Sequence, residues 1–407
     1  MKGLKIGLIA VLSAIVLGLC GTLAWGLENG GEFPTGVTYA DMRLVLDEEV
    51  SLDGIERIDI RYDMNSNDVI FREGEGNTLR VREYANYEAK ENEVSTVAVR
   101  GDTLEVVGKR RSAHTVRVFG FGYGSGYGYT EIWLPSAYQN ALTVKTTSGD
   151  IQADMELALD GELSLASTSG DMTVQTVSAS ALTLTASSGS ITGDRLCAAD
   201  GAGAITIGTT SGDVGAGQLA GDTSIETTSG NVNVETIVGT FAGLASSGDI
   251  TVGSVDGDAE ASASSGCIKI NGGGGAREIS TSSGDILLEG VADAFDVRTT
   301  SGDAVIRAEK GAGYIETTSG NVRLTLPELT GKLEIQTTSG EVGVSLSENA
   351  VMEFEAKTAS GGIDTFFDDS LSFSKRGDSA KGSVGSGAQR YAVVIGTSSG
   401  DVRITKY

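Results

Sequence analysis

The sequence has few of the residues on which catalysis and metal binding usually depend. Its 407 residues include one histidine, three cysteines and three prolines, and aromatic residues make up 6% of the chain. No Cys-x-x-Cys pair or Cys/His cluster occurs, which excludes a zinc site of ordinary spacing. His114 lies in a Lys/Arg-rich stretch, and we interpret it as a surface residue rather than a general base. The scarcity of proline suits long strand ladders, which need backbone N–H donors.

Basic residues are also few. Thirty Lys and Arg against 55 Asp and Glu give a net charge of −25. A chain this acidic repels phosphate groups, so the sequence predicts no nucleic-acid partner and disfavours anionic lipid headgroups. No Ser/His/Asp set is present, and the sequence predicts no cofactor and no enzymatic activity. A polysaccharide-acting enzyme is the third-ranked alternative, because the fold that the repeats described below predict, a parallel β-solenoid, does include such enzymes.

The chain begins with a segment of membrane-spanning length. Residues 6–26 are uncharged and mostly apolar, and they follow a stub, residues 1–5, that carries Lys2 and Lys5. About 20 apolar residues cross a bilayer as a helix, and a basic flank favours the cytoplasmic side. We therefore predict a transmembrane signal anchor at 6–26 and an extracytoplasmic tether at 27–46.

Two alternatives to an uncleaved anchor stay open. A signal peptidase would find a poor small-x-small site at Thr22-Leu23-Ala24, and a lipoprotein signal would use Cys20. All three interpretations predict a single-pass or anchored protein at the cell membrane, with the remaining chain outside the cytoplasm.

A repeat of 18 residues dominates the rest of the chain. Six consecutive blocks fill residues 209–316, and each begins with Thr-Thr-Ser-Gly-Asp or a close variant. Copies of the Ser-Gly step recur over 146–407, with glycines at 149, 170, 189, 212, 230, 248, 266, 284, 302, 320, 340, 361 and 400. Regular spacing of this kind is typical of stacked repeat units.

Apolar residues alternate within each block, as in Val232/Val234 and Ile250/Val252. A period of two predicts strands, and Gly-containing corners separate two short strands per block. We therefore predict an all-β fold, a single-chain parallel β-solenoid of roughly 13 or more coils preceded by the transmembrane helix. Residues 47–145 form its irregular N-terminal part, and residues 146–407 form its regular part with a capping excursion at 365–392.

The corner residues have predicted structural roles. Glycine after serine is expected to adopt a positive φ at the bend, and the following Asp or Asn to cap backbone N–H groups. Successive coils place Asp285 and Asp303 about 5 Å apart, which makes them weak candidates for Ca²⁺ ligands. Turn capping is the preferred interpretation, because the calcium-binding nonapeptide pattern is absent.

Aromatic residues and glycines alternate over 119–129. Tyr123, Tyr127 and Tyr129 are weak candidates for a binding loop that stacks on sugar rings or meets a lipid interface. The alternative is a glycine-rich hairpin that covers the membrane-proximal end of the rod.

The Thr-Thr-Ser-Gly-Asp-Val repeat, with residues 55–60 and the Leu134-Pro135 step, resembles the bacterial "putative adhesin" family of cell-envelope proteins. The resemblance covers residues 47–407 and implies a surface location and adhesion, but it assigns no binding residue. The sequence thus favours a membrane-anchored, non-enzymatic solenoid that contacts an envelope polymer or surface protein. The alternative is an envelope-stress sensor or regulator that binds cationic antimicrobial molecules or a partner protein.

Overall fold

The structure is a computed structural model that describes residues 42–63, 66–86, 89–110, 116–118, 121–123, 128–291, 294–367 and 370–407. Within these residues it is all-β, with two single 3-10 turns at Glu91–Glu93 and Ala199–Gly201. No helix in the described part is long and apolar enough to cross a membrane. The predicted anchor at 6–26 and most of the tether lie outside the described residues.

The N-terminal section contains nine strands. They are β1 (Arg43–Ser51), β2 (Arg57–Tyr62), β3 (Asp68–Gly74), β4 (Thr78–Ala85), β5 (Thr96–Arg100), β6 (Thr103–Val107), β7 (Val116–Val118), β8 (Phe121–Tyr123) and β9 (Gly128–Pro135).

The regular section alternates between two sheets. Its strands are β10 (Ala141–Thr146), β11 (Ile151–Ala153), β12 (Leu157–Ala158), β13 (Leu163–Ser167), β14 (Met172–Ala179), β15 (Leu182–Ala186), β16 (Ile191–Ala198), β17 (Ala204–Thr209), β18 (Val214–Ala220), β19 (Asp222–Thr227), β20 (Val232–Val238), β21 (Phe241–Ala245), β22 (Ile250–Val255), β23 (Ala259–Ala263), β24 (Ile268–Ile270), β25 (Arg277–Thr281), β26 (Ile286–Val291), β27 (Ala294–Thr299), β28 (Ala304–Ala308), β29 (Lys310–Thr317), β30 (Val322–Leu326), β31 (Glu328–Ser339) and β32 (Val342–Leu346).

The C-terminal section adds six strands. They are β33 (Met352–Ser360), β34 (Ile363–Thr365), β35 (Ser372–Phe373), β36 (Ser379–Val384), β37 (Tyr391–Ser399) and β38 (Val402–Lys406).

Two sheets alternate along the chain: sheet A contains β3, β11 and β14, and sheet B contains β2, β10 and β13. Each coil places one strand in sheet B, turns at a Ser-Gly corner, and places the next strand in sheet A. Both sheets have 18 strands, and consecutive coils pair in parallel with matching residues in register. The parallel β-solenoid is therefore confirmed. From β10 to β32 the chain makes about ten turns in unbroken order. The predicted count of roughly 13 or more coils was wrong: about ten turns follow in chain order, and the coils at both ends are built out of that order.

At the N-terminal end the later coil lies outermost. β9 pairs in parallel with β3 on one side and antiparallel with β4 on the other, and β6 likewise lies between β2 and β5. The chain then returns past its own first coil, so that β10 pairs with β2. Antiparallel strands β1 and β5 form the two sheet edges at this end.

The C-terminal end is also built out of chain order, but there the later coil lies inside the earlier one. β37 pairs with both β31 and β33, and β38 pairs with both β32 and β34, so the last coil is inserted beneath the one before it. Residues 365–392 contribute two strands that extend sheet B: β36 is antiparallel to β33, and β35 is antiparallel to β36. Phe367 is buried there, whereas Phe366 and Phe373 stay exposed.

The core is a stack of aliphatic side chains between the two sheets. In sheet A one register column runs through Ile191, Val214, Val232, Ile250 and Ile268, and all five are at most 1% exposed. Because the inward face of each coil carries the same type of residue at the same position, each side chain packs against the equivalent side chains of the coils above and below. Complete burial of such a side chain contributes about 1.5–3 kcal/mol.

Arg277 interrupts this pattern. It occupies an inward position of sheet B, in register with Ala259 and Phe295, and only 2% of it is exposed. Its guanidinium donates hydrogen bonds to the carbonyl oxygens of Val255 and Gly257 at 2.9 and 2.8 Å. The charge is thus held by backbone acceptors of the preceding coil, which lie against the irregular corner around residues 271–275.

Glycine is required at the motif positions for a different reason from the one predicted. Apart from Gly400, with φ at 156°, none of them has a positive φ. A Cβ built on each would lie 1.8–2.2 Å from a carbonyl oxygen of the adjacent coil, which in all but the first is that of the neighbouring motif glycine. Glycine is therefore required by the close approach of stacked corners, which leaves no room for a side chain.

This steric requirement predicts the effect of Gly248→Ala. Its Cβ would lie 1.8 Å from the Gly230 oxygen, and overpacking against rigid backbone costs about 1–3 kcal/mol or more. Gly215→Ala is the matched control, since its added Cβ would have no heavy atom within 4 Å and its φ is not positive. We expect a clearly lower melting temperature for Gly248→Ala and an unchanged or slightly higher one for Gly215→Ala. Equal melting temperatures would contradict the close-approach argument.

Candidate binding surfaces

The stacked corners form one continuous face of the rod. The first motif residue is buried, and its hydroxyl bonds to the corner backbone, as when Gly230 N–H donates to Thr227 Oγ1 at 2.9 Å. The next two residues, such as Thr228 and Ser229, are exposed on every coil of the regular section apart from a half-buried Thr147. We call these paired hydroxyl residues and their glycines the Ser-Gly edge. Coil stacking repeats the pair about every 4.8 Å along the rod.

Asp and Asn side chains beside this edge form a hydrogen-bonded ladder. Asp249 Oδ1 accepts the N–H of Cys267 at 2.8 Å, and the N–H of Asp249 itself donates to Asn231 Oδ1 at 3.0 Å. The same hydrogen bond recurs along the rod, with a side-chain oxygen that accepts the backbone N–H of the equivalent residue on the adjacent coil. The acceptor residues are Asp68, Asp150, Asp171, Asp213, Asp285, Asp303, Asn321 and Asp401. The acceptor joins two coils rather than capping a turn within one.

The two weak calcium candidates lie in this ladder as neighbours. Asp285 Oδ1 accepts the N–H of Asp303 at 2.8 Å, and Asp303 accepts from Asn321 and Arg323. Partial burial opposes the charge on Asp303, but the hydrogen bonds from Asn321 and Arg323 outweigh it and hold the pKa of the carboxyl below its usual range. Among the described residues no group of three or more His, Cys, Asp or Glu is placed to hold a metal ion. The calcium site stays a prediction.

The three candidate tyrosines have separate outcomes. Tyr127 lies outside the described residues. Tyr123 ends β8, which pairs antiparallel with β7, and Tyr129 lies on β9. The Tyr129 ring stacks on Tyr84 with centroids 4.5 Å apart and planes 9° from parallel. Tyr129 therefore belongs to the outer face of sheet A.

That outer face holds a further cluster around Glu131. Trp133 Nε1 donates to Glu131 Oε2 at 3.3 Å, the Tyr84 hydroxyl is at 3.5 Å, and Arg72 pairs with the same carboxylate at 3.6 Å. The Arg82 guanidinium lies over the Trp133 ring at 5.6 Å from its centroid. Burial and the Glu131 charge raise the pKa of the Tyr84 phenol. Half-buried rings and polar groups of this kind suit stacking contacts with a ligand.

Sequence reasoning missed Tyr84, Arg82 and Trp133. The available signal was the alternation of 129, 131 and 133 on one strand and of 82 and 84 on another, which places each set on one face. Nothing in the spacing showed that β4 and β9 are antiparallel neighbours.

Charge is unevenly distributed along the rod. Residues 146–268 contain sixteen Asp or Glu and a single basic residue, Arg195. Among the described residues, the ion pairs nearest to the middle of this stretch are Arg72–Asp154 at its start and Arg298–Asp296 beyond its end. The stretch covers roughly 30 Å of rod, which amounts to about one net negative charge per 2 Å, close to the ~1.7 Å of duplex DNA.

The fold and its surfaces define the class of this molecule, a repeat protein that wraps one chain into a parallel β-solenoid. The chain belongs to the Toastrack DUF4097 family, whose model matches residues 55–272 and again 239–405. This supports the family resemblance that the sequence indicated.

Two crystal structures are similar over most of their length. One is of a "putative cell adhesion protein" from Clostridium sporogenes, with 9% identity, a TM-score of 0.16, and coverage of 89% of this chain and 100% of the other. The second is of a "putative adhesin" from Parabacteroides distasonis, with 11% identity, a TM-score of 0.18, and coverage of 89% and 97%. These scores are too low to support an argument. No curated protein matches the chain.

The ladder predicts how Asp249 responds to substitution. Asp249→Asn keeps an Oδ1 acceptor, as Asn231 and Asn321 do naturally, so we expect a melting temperature close to that of the parent. Asp249→Ala leaves the Cys267 N–H without this acceptor and should cost about 0.5–1.5 kcal/mol. Chemical denaturation measures both. A large loss in Asp249→Asn, together with stabilisation by added Ca²⁺ of the parent but not of this variant, would show that the carboxylate charge binds a cation instead.

Asp303 predicts an acid-sensitive contribution to stability. Because its pKa is lowered in the folded state, its interactions stabilise the protein fully above the unfolded value of about 4. That contribution is lost as the pH falls through the folded pKa. We expect the difference in melting temperature between parent and Asp303→Asn to shrink between pH 6 and the acid limit, measured by circular dichroism. A difference independent of pH would rule out the titration of Asp303 as its source.

Proposed function

We propose that the protein is a non-enzymatic scaffold of the cell envelope. Residues 6–26 anchor it in the membrane, and the solenoid lies outside the cytoplasm and contacts an envelope polymer or a surface protein. The observation that carries this proposal is the Ser-Gly edge, which presents the same exposed hydroxyl pair on successive coils at a spacing of about 4.8 Å.

The physical advantage of such an edge is multivalency. A single pair such as Thr228 and Ser229 offers a few weak hydrogen bonds, because its hydroxyls exchange water for ligand at little net gain. Once one coil is bound, the neighbouring pairs meet the same polymer at high effective concentration, and overall avidity can exceed single-site affinity by about 10²–10⁴. The rod supplies this without a deep pocket.

The test uses the full chain and purified cell-wall polysaccharide in a co-sedimentation assay. Replacing Thr228, Ser229, Ser246 and Ser247 with alanine removes two exposed hydroxyl pairs and should weaken retention by about tenfold, as the avidity argument implies. The control replaces Asn233 and Thr251 with alanine on the outer face of sheet A in the same coils. Equal retention of both variants and the parent would reject the Ser-Gly edge as the binding face.

A second function is favoured by the acidic stretch at 146–268. We propose as the alternative that the rod concentrates cationic antimicrobial molecules or a basic partner, which suits a sensor or regulator of envelope stress. Binding through this stretch is electrostatic, so raising the salt from 0.05 to 0.2 M, by analogy with polyanion binding, should weaken it by roughly an order of magnitude or more. Retention of a neutral polysaccharide should change little over the same range.

A further inference from the structure

Sheet A opens at one point near its N-terminal end. β3 pairs with β11 over three residues, Val69–Phe71, and then continues to Gly74. β12 follows β11 after residues 154–156, but it pairs only with β14. No backbone strand pairing joins the end of β3 to β12, although the structure describes both strands. A cavity of about 430 Å³ lies between them, and we call it the strand slot.

The slot exists because the coils at this end are built out of order. A regular coil continues from sheet A around the next corner, and that corner closes the gap to its neighbour. β3 instead leaves the stack and returns as the antiparallel strand β4, while the chain from β9 passes by to reach β10. The corner that would pair with β12 is therefore missing.

Backbone groups face the slot from both sides. Val69 N–H donates to the carbonyl oxygen of Asp150 at 2.8 Å. Because the direction of the backbone N–H and C=O groups alternates along a strand, those of Val69, Phe71 and Glu73 point toward the β11 side. On the other side, Leu159 N–H donates to the carbonyl oxygen of Ser178 at 2.8 Å. The backbone N–H and C=O groups of Leu157 and Leu159 therefore point toward β14, and those of Ala158 point away from it. The N–H and C=O groups of Glu73 and Ala158 thus point at each other across the cavity with no strand between them.

The side chains of the slot define the rest of its chemistry. Phe71, Leu134 and Leu157 are at most 2% exposed and form an apolar floor. The rim carries the carboxylates of Glu73, Asp154 and Glu156. Its one basic group, Arg72, is engaged by Asp154 at 3.6 Å and by Glu131 at 3.6 Å. The rim is therefore net acidic, although the floor is apolar.

We propose that the strand slot binds an extended peptide segment, which adds as a strand between β3 and β12. The unpaired N–H and C=O groups of Glu73 and Ala158 match a peptide backbone, and strand addition is an established mode of peptide recognition. An apolar side chain of the peptide rests on the floor, and basic side chains beside it meet the acidic rim.

This proposal does not rest on the scaffold function. The slot lies where the strands of sheet A end, whereas the Ser-Gly edge lies where they begin. The handedness of the peptide distinguishes binding in the slot from binding to the acidic surface. Screened charge attraction does not discriminate between a peptide and its mirror image, whereas pairing with two fixed strand edges does.

The experiment uses the full chain and the peptide acetyl-Thr-Lys-Val-Lys-Thr-amide, in its L form, its all-D form, and with the valine nitrogen methylated. Isothermal titration at physiological salt measures the affinities. We expect the L form to bind at least about tenfold more tightly than the other two, since each lacks one or more of the strand hydrogen bonds. Equal affinities, or no binding of the L form, would overturn the proposal.

Two further measurements locate the binding. Ala158→Pro removes the N–H donor that faces the slot and should remove the preference for the L form, whereas Ala158→Val keeps that donor and should keep the preference. Hydrogen exchange of the parent protein should slow at residues 72–74 and 156–158 when the L peptide is added, a result that needs no variant to fold. Exchange unchanged in both segments would overturn the proposal even if the peptide bound elsewhere.

Discussion

Vertical pairing between coils is the interaction on which the whole structure depends. Every strand of the regular section except β12 is hydrogen-bonded to the strand above and the strand below, so the distance between coils is that of neighbouring strands, about 4.8 Å. This spacing makes glycine obligatory at the corners, since a Cβ at Gly248 would meet the Gly230 oxygen. It also brings each Asp within reach of the next coil, as Asp249 and Cys267 show.

The ends obey a different constraint. A stack of coils exposes unpaired edges at each end, and such edges invite pairing with other chains. At the N-terminal end a later coil lies outside the first coil and is covered by the antiparallel strands β4 and β5, with β1 beside β4. At the C-terminal end the last coil is inserted beneath the one before it, and β36 and β35 extend sheet B. The crossing of the chain at the N-terminal end also leaves a corner unfilled, and the strand slot occupies that position.

Surface chemistry follows from the same repetition. Positions that point outward recur on every coil, so a favourable contact at one coil is multiplied along the rod, as on the Ser-Gly edge. Where the repeat breaks, single sites replace arrays: the Tyr84–Tyr129 stack and the Glu131 cluster occur on the irregular coils. The regular and irregular parts therefore suit different partners, long polymers in one case and short segments in the other.

The sequence by itself determined the coil: alternation of residues such as Val232 and Val234, and Ser-Gly at regular spacing, specify two strands and a corner, because these are local properties of the chain. It misassigned the cause of the glycines, since a positive φ and a close contact select the same residue. Only the tertiary structure decided the order of the end coils, the pairing of Tyr84 with Tyr129, and the slot beside Ala158. Those features join segments far apart in the chain, and no short-range pattern records which distant strand becomes a neighbour.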